Sequence, residues 1–185
     1  METSSPLNAE ITASWPGFNS DNFTPQIYIL DSPLFFTIFE IMPSPHKIRF
    51  FFDNKSVSLK QRTRLKKFLL SLFKREGKRV DSINYIFCSD KRLLEINRTF
   101  LNHDFYTDII TFDLSESGQI AAEIYISLDR VRDNARIQGN TLRSELLRVM
   151  FHGALHLCGY GDKKKSETQK MRAREDHYLS LWSKS

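Results

Sequence analysis

His152 and His156 stand four residues apart in the segment SELLRVMFHGALHL, whose apolar spacing predicts a helix. Side chains at positions i and i+4 lie on the same helix face, about 5–6 Å apart at Cβ. Gly159 and Gly161 then predict a break, after which Asp162 can fold back as an oxygen ligand. Two nitrogens and a carboxylate would leave one tetrahedral position open, which is typical of catalytic zinc. Because an HxxxH pair alone is more often an ordinary pair of histidines, the surrounding residues must decide.

The elements that must position these residues predict an α/β domain. Segments 48–52, 82–88, 108–114 and 121–127 are rich in aliphatic, aromatic or β-branched residues and predict strands. The short separation of the last two predicts an antiparallel hairpin. Helices are predicted after each of the first two strands, and three more follow the hairpin. The expected fold is a single domain with a four-stranded mixed sheet packed against helices and a metal site at the end of the HxxxH helix.

The N-terminal part of the chain differs from the rest in composition. All 27 lysines and arginines follow residue 41, and all six prolines precede residue 46. We therefore expect an N-terminal extension over residues 1–45 and a metallohydrolase-like domain over residues 46–185. The extension lacks the positive region of a secretory signal peptide. Our hypothesis is that Met42 is the true start of the protein.

A strongly basic segment precedes the second predicted strand. Residues 55–79 contain ten lysines and arginines against Glu76 as the one acid, and most of them fall on a helix predicted over residues 58–76. Such a face either is simply solvated or contacts phosphates, since nucleic-acid binding needs basic side chains clustered on one surface. The candidate RNA contacts are Lys60, Arg64 and Lys67.

The two cysteines, Cys88 and Cys158, stand in apolar surroundings, which predicts free thiols in a reducing compartment. No stretch approaches the roughly 20 apolar residues of a membrane span. We therefore expect a cytoplasmic protein without a membrane partner, and a monomer in isolation.

Several motifs resemble one family. HGALHLCGYGD, residues 152–162, is similar to HGxLHLxGYDH, the signature of the YbeY-type metal-dependent rRNA maturation factors. TDIITFD at 107–113 resembles that family's TDVLSFP strand, and AAEIYIS at 121–127 resembles its GDIxIS strand. NRTFLNHDFYTD at 97–108 matches the approach NxxYRxxDxxTD. The resemblance covers essentially all of residues 46–180.

The resemblance implies a small α/β metallohydrolase that holds one zinc ion through three residues of the signature. By position these ligands are His152, His156 and Asp162, and the two histidines are also the expected catalytic residues. The family is regarded as single-strand-specific endoribonucleases acting in 16S rRNA 3′-end maturation and ribosome quality control. Precursor 16S rRNA and the small ribosomal subunit are therefore the expected partners.

Two positions depart from the family pattern. The third ligand is usually histidine, and the negative charge of Asp162 would leave a metal-bound water less acidified. Leu101 stands where the family usually has an arginine, and leucine cannot stabilise charge on a phosphate. Arg148, one helical turn before His152, is the nearest candidate for a catalytic cation, or else a salt-bridged arginine near Glu145.

Two rival functions stay open at this point. Leu101 favours a metal-binding, ribosome-associated assembly factor with weak or no nuclease activity. A metallopeptidase is disfavoured, because Gly153 stands where HExxH enzymes place a general-base glutamate. A mid-helix glycine predicts close approach by a substrate or a neighbouring helix. Glu123 and Asp108 either orient a histidine or are surface carboxylates.

Overall fold

The computed structural model describes residues 47–53, 59–116 and 118–185, so Met42 and the predicted extension lie outside it. Within the described residues the strands are β1 (Ile48–Phe52), β2 (Val80–Cys88), β3 (Ile109–Asp113) and β4 (Ile120–Ser127). The helices are α1 (Arg62–Arg75), α2 (Asp90–Leu101), α3 (Leu128–Ile137), α4 (Leu142–Leu157) and α5 (Lys165–Lys184).

The four strands form one mixed sheet in the order β1-β2-β4-β3. β1 and β4 both pair with β2 in parallel, and β3 pairs with β4 antiparallel at the sheet edge. The predicted hairpin and the α/β fold class are therefore confirmed. The basic helix begins at Arg62 rather than at residue 58, which lies outside the described residues.

Alternate side chains of each strand point to opposite faces of the sheet. The apolar clusters on these two faces differ in size. Ile83, Tyr85 and Phe87 of β2 point into the main core, which they share with buried residues of α1, α4 and α5. A smaller apolar cluster lies beside α2, and it consists of Cys88, Leu93, Ile96 and Ile110. Most chemistry-bearing residues therefore belong to the helices of the larger face.

α4 is the central helix of that face and lies against the sheet. Tyr85 Oη donates a hydrogen bond to the Met150 carbonyl at 3.2 Å. At Gly153, a Cβ would lie 2.7 Å from Ile109 Cδ1 and 3.1 Å from Ile124 Cγ2. The glycine thus lets α4 approach strands β3 and β4. The predicted close approach at Gly153 is confirmed. The predicted neighbour, a substrate or another helix, was wrong, because the sheet occupies this position.

α1 and α4 run side by side in the same direction, and α5 runs back along them. Near the start of α1, Gln61 Oε1 accepts a hydrogen bond from Arg143 Nη2 at 2.6 Å. Arg64 stacks over the Trp182 ring at 4.1 Å and donates to the Trp182 carbonyl at 2.7 Å. The start of α1 therefore lies beside the start of α4 and the end of α5.

Glu76, the one acid of the basic segment, joins the end of α1 to the middle of α5 and to the loop after α4. Its carboxylate accepts hydrogen bonds from Tyr160 Oη at 3.1 Å, from Arg174 Nε at 2.7 Å and from the Tyr178 hydroxyl. Burial raises the pKa of Glu76, but the hydrogen bonds from Tyr178, Arg174 and Tyr160 outweigh it and lower that pKa below its ordinary value. The ionised carboxylate therefore holds α1 to α5 and to the loop after α4.

Both cysteines are free thiols, as predicted. Burial raises the pKa of Cys88 and of Cys158 to about 12, so neither is a thiolate near neutral pH. Among the described residues, no helix combines the length and the apolar character needed to cross a bilayer.

We expect Glu76→Gln to lower the free energy of unfolding at pH 7 by about 1–2 kcal/mol, because charge-assisted hydrogen bonds become neutral ones. A lowered folded-state pKa gives stability that is fully present above the unfolded value of 4.5 and is lost as pH falls through the folded value. The difference between wild type and variant should therefore shrink as the pH of urea unfolding is lowered from 6 through the acid range.

Glu95→Gln is the matched control, since Glu95 forms only a surface pair with Arg92 at 3.4 Å. It should change stability by less than about 0.5 kcal/mol. A wild-type advantage over Glu76→Gln that stays constant, or grows, on acidification would contradict this role for Glu76.

Candidate metal centre

Three donor atoms converge where α4 ends. His152 and His156 lie one turn apart on α4, and their Nε2 atoms are 2.8 Å from each other. Asp162 Oδ2 is 3.6 Å from His152 Nε2 and 3.5 Å from His156 Nε2. Gly159, at φ +98°, turns the chain after the helix so that Asp162 comes back to the two rings. The structure therefore brings all three sequence-predicted ligands together, with candidate ligand atoms within 4.8 Å of one another.

The outward nitrogen of each ring has its own hydrogen-bond partner. His152 Nδ1 lies 2.8 Å from Glu175 Oε1, and His156 Nδ1 lies 2.9 Å from the Tyr160 carbonyl oxygen. An ionised carboxylate and a carbonyl only accept hydrogen bonds, so each Nδ1 must carry the proton. In the neutral rings both Nε2 atoms are then lone-pair donors that point to the same place. Such a partner on the far nitrogen is the usual device for orienting a metal-ligating histidine.

The donor atoms at this site favour a bound cation. Two neutral rings that both donate through Nδ1 present lone pairs to each other at 2.8 Å, and these repel unless a proton or a metal ion lies between them. The nearby Asp162 carboxylate adds negative charge to the same space. Two imidazole nitrogens and one carboxylate oxygen form a donor set that suits zinc and leaves a further position for a ligand.

Glu175 is itself held by the fold. It is a buried residue of α5, 4% exposed, and its Oε2 accepts hydrogen bonds from Arg148 at 3.0 Å and from Arg172 at 3.3 Å. Burial raises the pKa of Glu175, but its contacts with His152 and Arg148 outweigh burial and lower that pKa. The carboxylate is therefore ionised near neutral pH, and each of its two oxygens has a partner.

The pKa values of the two histidines are shifted in opposite directions. Burial lowers the pKa of His152, but the hydrogen bond and charge of Glu175 outweigh it and raise that pKa above the ordinary value. Burial and the charge of His152 lower the pKa of His156.

A cleft of about 540 Å³ opens beside the ligands. Asp108 is one of its lining residues, and its Oδ2 accepts a hydrogen bond from Asn134 Nδ2 at 3.0 Å. Arg148 and Arg172 line it from α4 and α5. The space next to the metal ligands is thus bordered by both carboxylates and guanidinium groups.

Arg148 lies close to the site, but its guanidinium group is paired with two carboxylates. Its Nη1 is 3.0 Å from Glu175 Oε2 and 2.6 Å from Asp176 Oδ1, and its side chain is 15% exposed. Glu145, the partner weighed from sequence, instead accepts a hydrogen bond from Asn140. Arg148 therefore contacts the carboxylate that orients His152.

The predicted RNA contacts lie elsewhere. Arg64 is bound to the end of α5, and Lys60 lies near the start of α1. At 1.5 Å per residue, His152 and His156 lie roughly 15–20 Å along α4 from that end. Lys67 is exposed further along α1. The structure does not bring these three residues to the metal centre.

Leu101 and Glu123 have other partners. Leu101 is the last residue of α2 and packs against the small apolar cluster beside that helix. Glu123 accepts a hydrogen bond from Tyr125 Oη at 2.7 Å.

Glu175 is the site residue that sequence reasoning missed. The buried residues of α5 are Met171, Glu175, Tyr178 and Trp182. These positions recur at helical spacing, so Glu175 stands on the apolar stripe of its helix. A charged residue on such a stripe requires a buried partner. The position of Glu175 in the sequence could therefore have indicated a buried polar contact.

Comparison with known proteins identifies one family. A family model described as Endoribonuclease YbeY matches residues 50–183. A Cytophaga hutchinsonii protein named Endoribonuclease YbeY is 51% identical over 135 residues, which cover 72% of this chain and 94% of that protein. A Porphyromonas gingivalis protein of the same name is 44% identical over 135 residues, which cover 73% and 89% of the two chains.

A solved structure shares the fold. The solution structure of TM1509 from Thermotoga maritima is 34% identical in sequence and superposes with a TM-score of 0.53. The match covers 74% of this chain and 92% of that one. Since the family model covers well over half of the chain, the chain belongs to the YbeY family of endoribonucleases.

Proposed function

We propose that this protein is a zinc-dependent endoribonuclease that cleaves single-stranded RNA. The observation that carries the proposal is the convergence of His152 Nε2, His156 Nε2 and Asp162 Oδ2 beside an open cleft. The names of the relatives supply the reaction class, and the donor set supports the metal. Precursor 16S rRNA and the small ribosomal subunit are the partners we propose from the family resemblance, with action in the cytoplasm.

The three ligands would hold the ion, and Glu175 and the Tyr160 carbonyl would keep both rings aimed at it. A zinc ion with an open position supplies a Lewis acid that polarises a phosphoryl oxygen and acidifies water. The chain's own part is to fix the donor atoms and to keep the Nδ1 protons in place. Either water or the 2′-hydroxyl of RNA can serve as the nucleophile in such a cleft.

A second function has one observation in its favour. Leu101 replaces the family arginine and is packed into an apolar cluster. The chain therefore lacks that cation, which supports a ribosome-associated factor with weak nuclease activity. Cleavage measurements separate the two functions.

We expect the full chain to bind about one equivalent of zinc and to cleave precursor 16S rRNA only when zinc is present. His156→Ala should lose at least tenfold in zinc affinity and most of the cleavage, because it removes one of three ligands. Chelator competition measures the affinity, and gel analysis of end-labelled RNA measures cleavage. His177→Ala is the matched control, since His177 is exposed on α5 and contacts Tyr178.

Equal cleavage by wild type and His156→Ala would mean that the activity comes from a contaminant. Zinc binding without cleavage would favour the assembly factor.

Glu175→Gln should weaken zinc binding by about 10- to 100-fold, the usual cost of losing the partner that orients a ligating histidine. Glutamine keeps the size of the side chain but removes the charge that raises the basicity of His152. Asp176→Asn is the matched control, because Asp176 contacts Arg148 but not His152. Unchanged zinc affinity in Glu175→Gln, measured with the same chelator, would show that the 2.8 Å contact has no effect on the site.

The basic surface of α1 gives a separate prediction. Reversing Lys60 and Lys67 to glutamate should weaken binding of single-stranded RNA and flatten its salt dependence by about 0.7 for each phosphate that the surface no longer neutralises. Arg64 is left intact in this test because it holds α5. The same reversal at Arg136, 77% exposed on α3, is the control. An unchanged salt slope in the double variant would mean that this helix face is only solvated.

A further inference from the structure

Exposed aromatic side chains are concentrated in one loop. Among the described residues, six large hydrophobic side chains are exposed, and three of them lie within residues 100–106. Phe105 is 57% exposed and Tyr106 is 52% exposed. Single exposed apolar residues are common, but a group of them marks a contact surface. We call residues 102–106, between α2 and β3, the aromatic loop.

The aromatic loop is held in a defined conformation. Asn97, which is 2% exposed, donates a hydrogen bond from Nδ2 to the Phe105 carbonyl at 2.9 Å. The Asn97 carbonyl accepts from the His103 amide at 3.2 Å. A buried polar residue thus fixes the loop backbone from below, so the exposed rings do not result from a loose loop.

The rings of the aromatic loop present flat faces beside the guanidinium group of Arg130, which is paired with Asp90. The His103 and Phe105 rings are stacked, with centroids 5.1 Å apart and planes inclined by 24°. The Arg130 guanidinium carbon lies 4.6 Å from the centroid of the Tyr106 ring. Aromatic and guanidinium planes side by side are the surface on which unpaired nucleobases stack.

The aromatic loop continues directly into the cleft beside the metal ligands. Asp108, two residues after Tyr106, lines that cleft together with His152 and Asp162. Consecutive Cα atoms are about 3.8 Å apart, so Tyr106 lies within about 8 Å of Asp108 along the chain. A strand whose bases rest on the loop would therefore have its backbone at the cleft rim.

We propose that the aromatic loop is a stacking platform for unpaired bases of single-stranded RNA, with Phe105 and Tyr106 as the base-contacting residues. This inference rests on the proposed function for its ligand class. Bases within a duplex are covered by their neighbours, so the platform selects single strands.

The test compares binding of three probes to the zinc-loaded full chain. The probes are a 12-nucleotide single strand of 2′-O-methyl RNA, an abasic strand of equal length and charge, and the duplex of the first strand. Fluorescence anisotropy gives each affinity, and gels verify that the probes stay intact. Phe105→Leu/Tyr106→Leu removes both rings but keeps apolar side chains. Ile137→Ala, at an exposed apolar residue on α3, is the control.

We expect the double variant to lose at least fivefold in affinity for the base-bearing single strand, since stacking on aromatic rings contributes to single-strand binding. Its affinity for the abasic strand and the duplex should equal that of wild type, and the control should bind all three probes as wild type does. Unchanged affinity for the single strand would overturn the proposal and assign the loop to a protein contact. An equal loss for the abasic strand would also overturn it.

Cleavage is measured on the same preparations with unmodified RNA, so the two hypotheses fail separately. If the protein binds through its rings but does not cleave, the stacking platform is supported and the nuclease function is contradicted. A chain that cleaves, and whose double variant binds normally, keeps the nuclease function and loses the platform.

Discussion

The contact between Glu175 and His152 is the constraint on which the site depends. A buried carboxylate is costly unless each oxygen has a partner. Here one oxygen accepts from His152 Nδ1 and the other accepts from Arg148 and Arg172. The requirement to satisfy Glu175 therefore fixes the tautomer of His152, the position of Arg148 and the seating of α5 against α4. The candidate metal ligand His152 is thus oriented by a residue that is not itself a candidate ligand.

A second carboxylate, that of Glu76, orients His156 indirectly through Tyr160. Glu76 holds the Tyr160 hydroxyl, and the Tyr160 backbone carbonyl accepts from His156 Nδ1. The same Glu76 receives hydrogen bonds from Arg174 and Tyr178 on α5. Each histidine is thus oriented by contacts that also join helices, and a change in helix packing would reach the donor atoms directly.

The local features of the fold and of the site were readable from sequence. Helical spacing and a glycine break, which are local properties, indicated that His152, His156 and Asp162 could meet, and the family resemblance identified them as ligands. The four strands followed from residue type. Glu175 was missed because its partner lies 23 residues away, and nothing local reveals that pairing. The contact of Arg64 with the end of α5 was not predicted for the same reason, since it depends on a residue more than 100 positions later. Charge counts identify basic segments, but they do not distinguish a cation held by a carbonyl from one that faces solvent.

The close seating of α4 on the sheet also restricts which chemistries this scaffold can acquire. The position after the first histidine is the one from which zinc peptidases present their general base. Here the side-chain direction at Gly153 leads into Ile109, Ile124 and Thr111, not toward the open side of the ligands. A glutamate introduced there would have to push these side chains aside or bury its charge among them. The packing of α4 against β3 and β4 therefore disfavours a general base at this position.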